Sequence, residues 1–456
     1  MNEPPVPKRL TPARPHADDE FEPVAGNGLL DRRVFLATVL AAGTATMADP
    51  APAAVAITTT TESEPWRHTP GAPMRNYGQP STHEHDVIRW VSATPGAPTN
   101  GVSWCPLQDL DGIITPNGLH YERHHNGVPA IDPAAHRLVI HGAVERALTF
   151  SIDALLRYPR ESRLCAIECG GNSNAGWRRK PIQTAVGYFH GLVSCSEWTG
   201  VPLRLLLQEV GVKADAAWAV AEGADAFGMT VSVPLAKLRE DALLALFQNG
   251  ERIRPEQGYP LRLVVPGYEG VLNVKWLRTL KISREPVMAR NETSRYTELQ
   301  PSGKARMFTF TMAVKSVITA PSAGMHLDGA GYYEISGLAW SGRGRIARVE
   351  VSADGGETWA EAALNEPVLP YCFTRFRIPW QWDGRAAVLQ SRATDATGEV
   401  QPTRATLLAT RGRHGYFHYN AIVSWAVAPG GAIEHTYVDA DPDSAADDPF
   451  DDDWDF

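Results

Sequence analysis

The sequence lacks the cysteine patterns that mark haem, zinc and iron–sulfur proteins. It has no CxxCH motif for haem attachment and no repeated CxxC pair that would hold zinc or an iron–sulfur cluster. The five cysteines are an odd number at irregular spacings, so a complete disulfide framework is excluded and at least one thiol stays free. Any haem that serves this chain must therefore belong to another protein.

The sequence also has no basic stripe with interleaved aromatic residues, which argues against a nucleic-acid surface. The net charge of −9 is accounted for by residues 436–456, which contain nine aspartates and no basic residue. The rest of the chain is neutral overall, and a content of 43% hydrophobic and 21% charged residues is typical of a globular protein. The length of 456 residues indicates two or three folded domains.

An export signal is indicated near the N-terminus. Arg32 and Arg33 precede Phe35 and Leu36, and a weakly apolar run of about 15 residues follows, shorter than the ~20 that span a bilayer. This layout resembles a twin-arginine signal, whose pathway exports proteins already folded, often around a cofactor. The alternative is a chance arginine pair before a buried helix. We predict that residues 1–56 are a twin-arginine signal peptide and leader, and that the mature protein is periplasmic without a membrane anchor.

The remaining chain divides into two folded units. Residues 57–103, rich in Thr, Pro, Gly and Ser, are predicted to be an N-terminal arm or linker on the surface. Residues 104–305 alternate strand-like runs with helical patches, which predicts an α+β domain. Residues 306–430 have short β-branched and aromatic runs between Gly-rich turns, which predicts a β-sandwich. Residues 431–456 are the predicted acidic tail.

Individual elements can be predicted from the hydrophobic pattern. The runs RLVIHGAV, RLCAIEC and YPLRLVVP predict strands, and SIDALLRYP, PLRLLLQEVGV and LAKLREDALLALFQNG predict helices. In RIARVEVSADGGETWAEAAL, alternating residues meet the turn Asp354-Gly355-Gly356, which predicts a β-hairpin.

Cys169 is the first candidate for chemistry. It ends an apolar strand-like run in CAIECGGNSNAGW and is followed at once by Gly170 and Gly171. Glycines let the backbone approach a bulky group, and a thiolate is a soft ligand that suits a soft or redox-active metal. The alternative is an inert, buried cysteine before a turn. The other cysteines, Cys105, Cys165, Cys195 and Cys372, are interpreted as structural.

Basic residues in two other segments favour an anionic ligand. Arg123 and His125 lie two apart in GLHYERHHNGVP, hence on one face of an extended segment. Arg262 lies in the apolar run YPLRLVVP, and Lys275 comes thirteen residues later, after a Gly-rich turn. A cation in an apolar run needs a partner, although a lone arginine or lysine is often an ordinary surface charge. A zinc site formed by His120, His124 and His125 is the competing interpretation.

These segments resemble the sulfite oxidase family of molybdenum enzymes. YERHHNGVP, CGGN, SEWTGVPL and YPLRLVVPGYEGVLNVKWL match the family in register, and the likeness covers about residues 104–425. The resemblance implies an α+β molybdopterin-binding domain followed by an immunoglobulin-like dimerisation domain. It also implies molybdenum bound by a pterin dithiolene and by Cys169.

The resemblance implies roles for individual residues as well. Arg123 would face the substrate, and Tyr296, twenty-one residues after Lys275, falls where the family has its active-site tyrosine. His125, Arg262 and Lys275 would contact the pterin and its phosphate. Read without the family, Tyr296 is only a loop aromatic.

Within the family, PLQDLDGIITPNGLHYERHHNGVPAIDP and GYFHYNAIVSWAVAPGGAIEHTYV resemble the catalytic subunits of sulfane dehydrogenases. Compared with sulfite oxidases, Asn174 replaces a substrate-binding arginine, Tyr188 replaces a pocket tryptophan and Gln257 replaces a pterin-binding histidine. Loss of one cation weakens a pocket for a small dianion such as sulfite.

The implied reaction is oxidation of carrier-bound sulfane sulfur by oxygen-atom transfer. The expected partners are a sulfur-carrier protein as substrate and a c-type cytochrome subunit as electron acceptor, within a homodimer or heterotetramer. Two alternatives stay open: a dehydrogenase of free sulfite, and a cofactor-free binding or assembly protein with the same fold.

Overall fold

The computed structural model describes residues 8–13, 23–31, 65–294, 296–307, 309–413 and 415–438. The predicted arginine pair, Arg32 and Arg33, and the nine tail aspartates lie outside these residues. Within them, no helix is both long and apolar enough to cross a membrane.

The N-terminal residues and the first domain contain short strands and short helices. The strands are β1 Lys8–Leu10, β2 Pro23–Ala25, β3 Leu29–Leu30, β4 Trp90–Thr94, β5 Ala97–Trp104, β6 Glu122–His124, β7 Arg137–Gly142, β8 Leu148–Ser151, β9 Glu161–Glu168, β10 Val193–Pro202, β11 Trp218–Gly223, β12 Thr230–Pro234, β13 Leu243–Gln248, β14 Glu251–Arg252, β15 Arg262–Val264 and β16 Leu277–Ser283. The helices are α1 Ile152–Leu155, α2 Val186–His190, α3 Leu203–Val210, α4 Leu235–Glu240 and α5 Arg290–Ser294.

The second domain is built almost entirely of strands. A connecting pair, β17 Glu298–Leu299 and β18 Ala305–Arg306, precedes it. Its strands are β19 Lys315–Ala320, β20 Met325–Leu327, β21 Gly331–Trp340, β22 Ile346–Ser352, β23 Ala360–Glu361, β24 Ala363–Leu364, β25 Thr374–Trp382, β26 Ala387–Asp395, β27 Ser424–Val427 and β28 Ile433–Thr436, with one helix, α6 Arg404–Arg411.

The sheets of the first domain position the candidate residues Arg123, Cys169 and Arg262. One sheet has the order β14-β13-β10-β9, with β15 on β13, and a second has the order β12-β11-β16-β7-β8. A third, β4-β5-β6, pairs Val102 with Arg123. Cys169 directly follows β9, and Arg262 begins β15, so two sheets place the candidate metal ligand and the two arginines.

The second domain is the predicted sandwich. Its sheets have the orders β19-β21-β25-β3-β2 and β23-β22-β26-β27-β28. The predicted hairpin is confirmed, since Glu350 pairs with Glu361 and Val351 with Ala360 across the turn. The two inner faces share a buried core that includes Trp340, Trp380 and Trp425. The α+β class with an immunoglobulin-like second domain is therefore as predicted.

One predicted helix is wrong in its second half. In LAKLREDALLALFQNG the helix α4 ends at Glu240, and Leu243–Gln248 forms strand β13. A short apolar run bounded by turns does not distinguish a buried helix from a buried strand by periodicity. Here β13 pairs with β10, β14 and β15, and central burial on both faces explains its unbroken hydrophobic character.

The predicted domain boundaries also differ from the strands at both ends. The arm of residues 57–103 contains β4 and most of β5, because Val102 and Trp104 pack into the core and the strand pairs with β6. The tail of residues 431–456 begins with β28, which pairs with β27. Residues 8–10 and Leu29 of the leader pair with strands of the second domain, and Pro23–Ala25 pair with the strand that contains Leu29.

Candidate active site

All six predicted site residues line one cleft of about 680 Å³ in the first domain. They are Arg123, His125, Cys169, Arg262, Lys275 and Tyr296. They come from β6, the turn after β9, β15, the segment before β16 and the segment after α5, so the fold brings together residues far apart in sequence. This convergence fits the predicted roles without testing them.

Cys169 sits on a tight turn at the end of β9. Its backbone N–H donates to the carbonyl of Leu192 at 2.9 Å, and its carbonyl accepts from the N–H of Asn172 at 2.8 Å. Gly170 is needed here, because a Cβ at that position would lie 2.8 Å from Oε2 of Glu269. Burial raises the pKa of the Cys169 thiol, while the N–H of Gly171 and the charge of Arg123 act in the opposite direction.

Side chains of the second domain form hydrogen bonds to Glu168, the residue before Cys169. Glu168 accepts from Lys315 Nζ at 3.1 Å and from Trp340 Nε1 at 2.8 Å, and both donors belong to the second domain. Asn172 Nδ2 donates to the same carboxylate at 2.9 Å. Lys315 is 1% exposed, and burial lowers its pKa while Glu168 opposes the shift. A buried charge pair with its hydrogen bonds satisfied fixes one geometry and is costly to break.

A second contact between the domains lies on the other side of the loop. The N–H of His418 donates to the carbonyl of Gly170 at 2.7 Å, and His418 Nδ1 pairs with Glu269 Oε1. Burial raises the pKa of Glu269 and lowers that of His418 to about 3, so both groups favour their neutral forms. The cysteine loop is thus held from two sides by residues of the second domain.

Arg262 is a buried cation with neutral partners. Its guanidinium donates to the carbonyl of Asn273 at 3.2 Å and to Oε1 of Gln257 at 2.9 Å, and it lies over the ring of Trp198. Burial lowers its pKa to about 10. Gln257 also donates to the carbonyl of Tyr121 at 3.0 Å, so this residue orients Arg262 and the cleft wall.

Lys275 is a second cation whose hydrogen-bond partners are neutral. It donates to the carbonyls of Arg123 and Glu256, at 3.1 and 3.2 Å, and lies 2.9 Å from Nδ1 of His124. Burial, followed by the charge of Arg262, lowers the pKa of Lys275 well below its usual value. Among the described residues neither cation forms an ion pair, so an anionic ligand would offset the cost of burying both.

The candidate substrate residues, Arg123 and Tyr296, line the same cleft. Arg123 donates to Oδ1 of Asn100 at 2.8 Å, and burial raises the pKa of Tyr296, which keeps its phenol protonated. The Tyr296 ring packs against Phe417 of the second domain at 4.9 Å between centroids. His125 stacks on Phe227 with centroids 4.3 Å apart.

The competing zinc site is not formed. His120 packs against Trp198, His124 pairs with Glu122 and Lys275, and His125 stacks on Phe227. Across the described part of the chain, no group of three or more His, Cys, Asp or Glu side chains could hold a metal ion. The remaining thiols, Cys105, Cys165, Cys195 and Cys372, are buried, as a structural role requires.

Sequence reasoning missed most of the residues that support Cys169. Glu168, Lys315, Glu269 and His418 are far apart in sequence and meet only through the packing of the two domains. Lys315 had a usable signal, since it is a single cation in the apolar run AVKSVITA, the same pattern that marked Arg262. Tyr121, whose hydroxyl lies beside Gly270 in the cleft, had no comparable signal.

The geometry fits a molybdenum pterin cofactor. A single thiol opens onto a cleft lined by Arg262 and Lys275, cations whose hydrogen bonds go to neutral acceptors, as a phosphate-bearing ligand requires. A soft thiolate ligand suits a redox-active metal. Cys169 would hold the metal, and Arg262 and Lys275 would hold the anionic part of the pterin.

Comparison with known proteins identifies the class. Residues 125–291 match the oxidoreductase molybdopterin binding domain, and residues 306–425 match the Mo-co oxidoreductase dimerisation domain. The chain belongs to the sulfite oxidase family of molybdopterin-dependent oxidoreductases. Its cofactor is accordingly molybdenum with molybdopterin.

The matches cover different shares of the individual proteins that this chain is similar to. It is similar to the sulfane dehydrogenase SoxCD from Paracoccus pantotrophus, with 42% identity and a TM-score of 0.80 over 85% of this chain and 99% of that chain. Mitochondrial sulfite oxidase of Mus musculus is 32% identical over 64% of this chain and 58% of its own length. Nitrate reductase [NADH] of Solanum lycopersicum is 30% identical over 66% of this chain and 37% of its own. The chain thus spans little more than half of the mouse enzyme.

Replacing Arg262 by Met should reduce cofactor retention. Charge-assisted hydrogen bonds contribute about 1.5–3 kcal/mol, so pterin affinity should fall by roughly 10- to 150-fold. Pterin and molybdenum per protein after extended gel filtration measure the effect. Arg278→Met, at a side chain 58% exposed on β16, is the matched control and should retain both. Unchanged cofactor content in Arg262→Met would contradict the assignment.

The buried histidines predict acid sensitivity. Burial lowers the pKa of His120, His124 and His418 to about 3, so below pH ~6.5 each binds a proton in the unfolded state but not in the folded state. Stability is therefore lost as pH falls from ~6.5 towards 3, by up to about 1.4 kcal/mol per unit for each histidine.

Urea unfolding between pH 7.0 and 5.5 measures this slope. His120→Asn should reduce the slope of the unfolding free energy against pH by roughly the contribution of one histidine. His83→Asn, at an exposed position, should leave this slope unchanged. A stability that does not change over this range would show that these histidines are not buried in neutral form.

Proposed function

We propose that this protein oxidises sulfane sulfur attached to a carrier protein and passes the electrons to a c-type cytochrome partner. The single observation that carries the proposal is the 42% identity to a chain of a sulfane dehydrogenase, of which the match covers 99%. We also propose that the protein is exported by the twin-arginine pathway and acts in the periplasm, as the arginine pair and the apolar run behind it indicate.

The composition of the cleft supports a substrate of low charge. Three cations line it, and if Arg262 and Lys275 hold the anionic part of the pterin, Arg123 is the cation assigned to the substrate. A free dianion would need more than one desolvated cation. The ring of Phe417 packs against Tyr296, which lines the cleft, so an aromatic neighbour supports this side of the cleft.

Each residue has a separate task in the proposed reaction. When bound, the molybdenum pterin supplies two-electron oxygen-atom transfer to sulfur. Cys169 fixes the position of the metal, Arg123 stabilises negative charge on the reacting group, and Tyr296, protonated at neutral pH, donates a hydrogen bond into the cleft. The chain has no haem-attachment motif, so the electrons leave through another protein.

Free sulfite is the second candidate substrate, because the mouse relative at 32% identity is a sulfite oxidase. The two substrates separate cleanly in steady-state kinetics. We expect kcat/KM for carrier-bound sulfane sulfur, with a c-type cytochrome as acceptor, to exceed that for sulfite by about 100-fold or more, a difference of ~2.7 kcal/mol in the transition state. Molybdenum-normalised Cys169→Ser protein is the inactive control. Rapid turnover of sulfite without carrier would favour sulfite dehydrogenase instead.

A further inference from the structure

Two thiols from different domains contact each other inside the protein. Cys195 lies on β10 of the first domain, and Cys372 lies two residues before β25 of the second. Their Sγ atoms are 3.2 Å apart, although 177 residues separate them in the sequence. The two residues are 0% and 1% exposed. Because the sulfur atoms of a disulfide are about 2.05 Å apart, these two would have to approach by only about 1 Å to form a bond.

Hydrogen bonds fix the backbone on both sides of this contact. The N–H of Cys195 donates to Thr115 Oγ1 at 3.2 Å, and its carbonyl accepts from the N–H of Thr115 at 2.7 Å. On β9, Ala166 lies opposite Cys195 and donates its N–H to the carbonyl of Tyr371 at 2.7 Å. Since Tyr371 directly precedes Cys372, the same strand residue positions both cysteines.

Tyr371 fixes the direction of the chain at Cys372. Its φ is +61°, in the left-handed region that a non-glycine residue rarely adopts. Its ring lies against Gly267, where a Cβ would be 2.8 Å from Cδ1, and Lys237 Nζ lies 5.0 Å from the ring centroid. Such a backbone conformation persists only where the surrounding contacts determine it. Packing on the first domain therefore holds Cys372 against Cys195.

A metal ion does not account for this contact. Cys165, on β9, is a third buried thiol and directly precedes Ala166. In the ranges that the structure describes, however, no group of three or more His, Cys, Asp or Glu side chains could hold a metal ion. The contact therefore involves two thiols only, and the covalent product that two adjacent thiols can form is a disulfide.

The two thiols differ in how readily they lose a proton. The hydrogen bond with Cys195 lowers the pKa of Cys372, whereas burial raises the pKa of Cys195. The thiolate is the nucleophile in disulfide exchange. Cys372 is therefore the sulfur that attacks first.

We propose that Cys195 and Cys372 are the site of an interdomain disulfide, formed by exchange with a low-molecular-weight disulfide. The thiolate of Cys372 attacks one sulfur of that disulfide, and the other sulfur leaves as a thiolate. Cys195 then gives up its proton and attacks Cys372 in the mixed disulfide, which releases the second small thiol. The two cysteines are oxidised, and the external disulfide is reduced to two thiols.

The cross-link would strengthen the interface on which the cysteine loop depends. Ala166, opposite Cys195, is two residues before Glu168 on β9, and Glu168 accepts hydrogen bonds from Lys315 and Trp340 of the second domain. Because both thiols are sealed where the domains meet, the small disulfide reaches them when this interface opens locally. The proposal does not rest on the proposed sulfur oxidation, whereas persistence of the disulfide in the cell follows from the proposed export to the periplasm.

Peptide mapping of the cofactor-loaded protein tests the proposal directly. The protein is reduced and then incubated with oxidised glutathione in urea below its unfolding transition, which increases local opening. The remaining thiols are alkylated, and the protein is digested without reductant. We expect one cross-linked pair of peptides that joins Cys195 to Cys372 and is about 2 Da lighter than the two reduced peptides together. Recovery of both cysteines in alkylated form, or a link from either of them to Cys165, would overturn the proposal.

Unfolding in urea with and without reductant gives a second measurement. A bond that closes a loop of 177 residues should raise the urea midpoint of the oxidised wild type by about 0.5–1 M over the reduced protein. Cys165→Ser is the matched control, because it removes a neighbouring buried thiol but not one of the pair, and it should keep this shift. Cys372→Ser should lose it.

A wild-type midpoint that does not change with reductant would contradict the proposal, and this comparison holds even if Cys372→Ser folds poorly. An equal shift in Cys372→Ser and in the wild type would contradict it as well. Neither measurement requires turnover, so both separate this proposal from the proposed function.

Discussion

The structure of the active site depends on one half-buried carboxylate that joins the two domains. Glu168 lies beside Cys169 and is held by Lys315 and Trp340 of the second domain. The loss of Lys315 would remove the ionic partner of this carboxylate, at a cost of roughly 3–5 kcal/mol for a broken ion pair in a buried region. The sandwich is therefore part of the active site, since it fixes Glu168, the residue next to Cys169.

The two domains contribute different residues to the active site. The first domain supplies the thiol and the cations Arg262 and Lys275, whose neutral partners leave their charge available to an anionic ligand. The second domain supplies rigidity through Lys315 and His418, and an aromatic neighbour for Tyr296 through Phe417. A change in the second domain can thus alter metal geometry or substrate fit without any change in the residues that bind the cofactor.

The sequence predicted much of the fold and of the cleft, for identifiable reasons. Cys169, Arg262 and Lys275 stand out locally, as a thiol before glycines and as cations in apolar runs, and the hairpin at Gly355 has turn chemistry that needs no tertiary context. The strand β13 was mistaken for a helix because a short buried run has no diagnostic period. The partners of Glu168 could not be predicted, since they are 147 and 172 residues away and meet only across the domain interface.

We propose that Cys169, held in position by the contacts of Glu168 with Lys315 and Trp340, is a ligand of the molybdenum. X-ray absorption at the molybdenum edge tests it most directly, because the number of sulfur atoms bound to the metal can be counted. The account predicts that wild-type protein has one more sulfur ligand than Cys169→Ser protein loaded with the same cofactor. An identical sulfur count in the two proteins would contradict it.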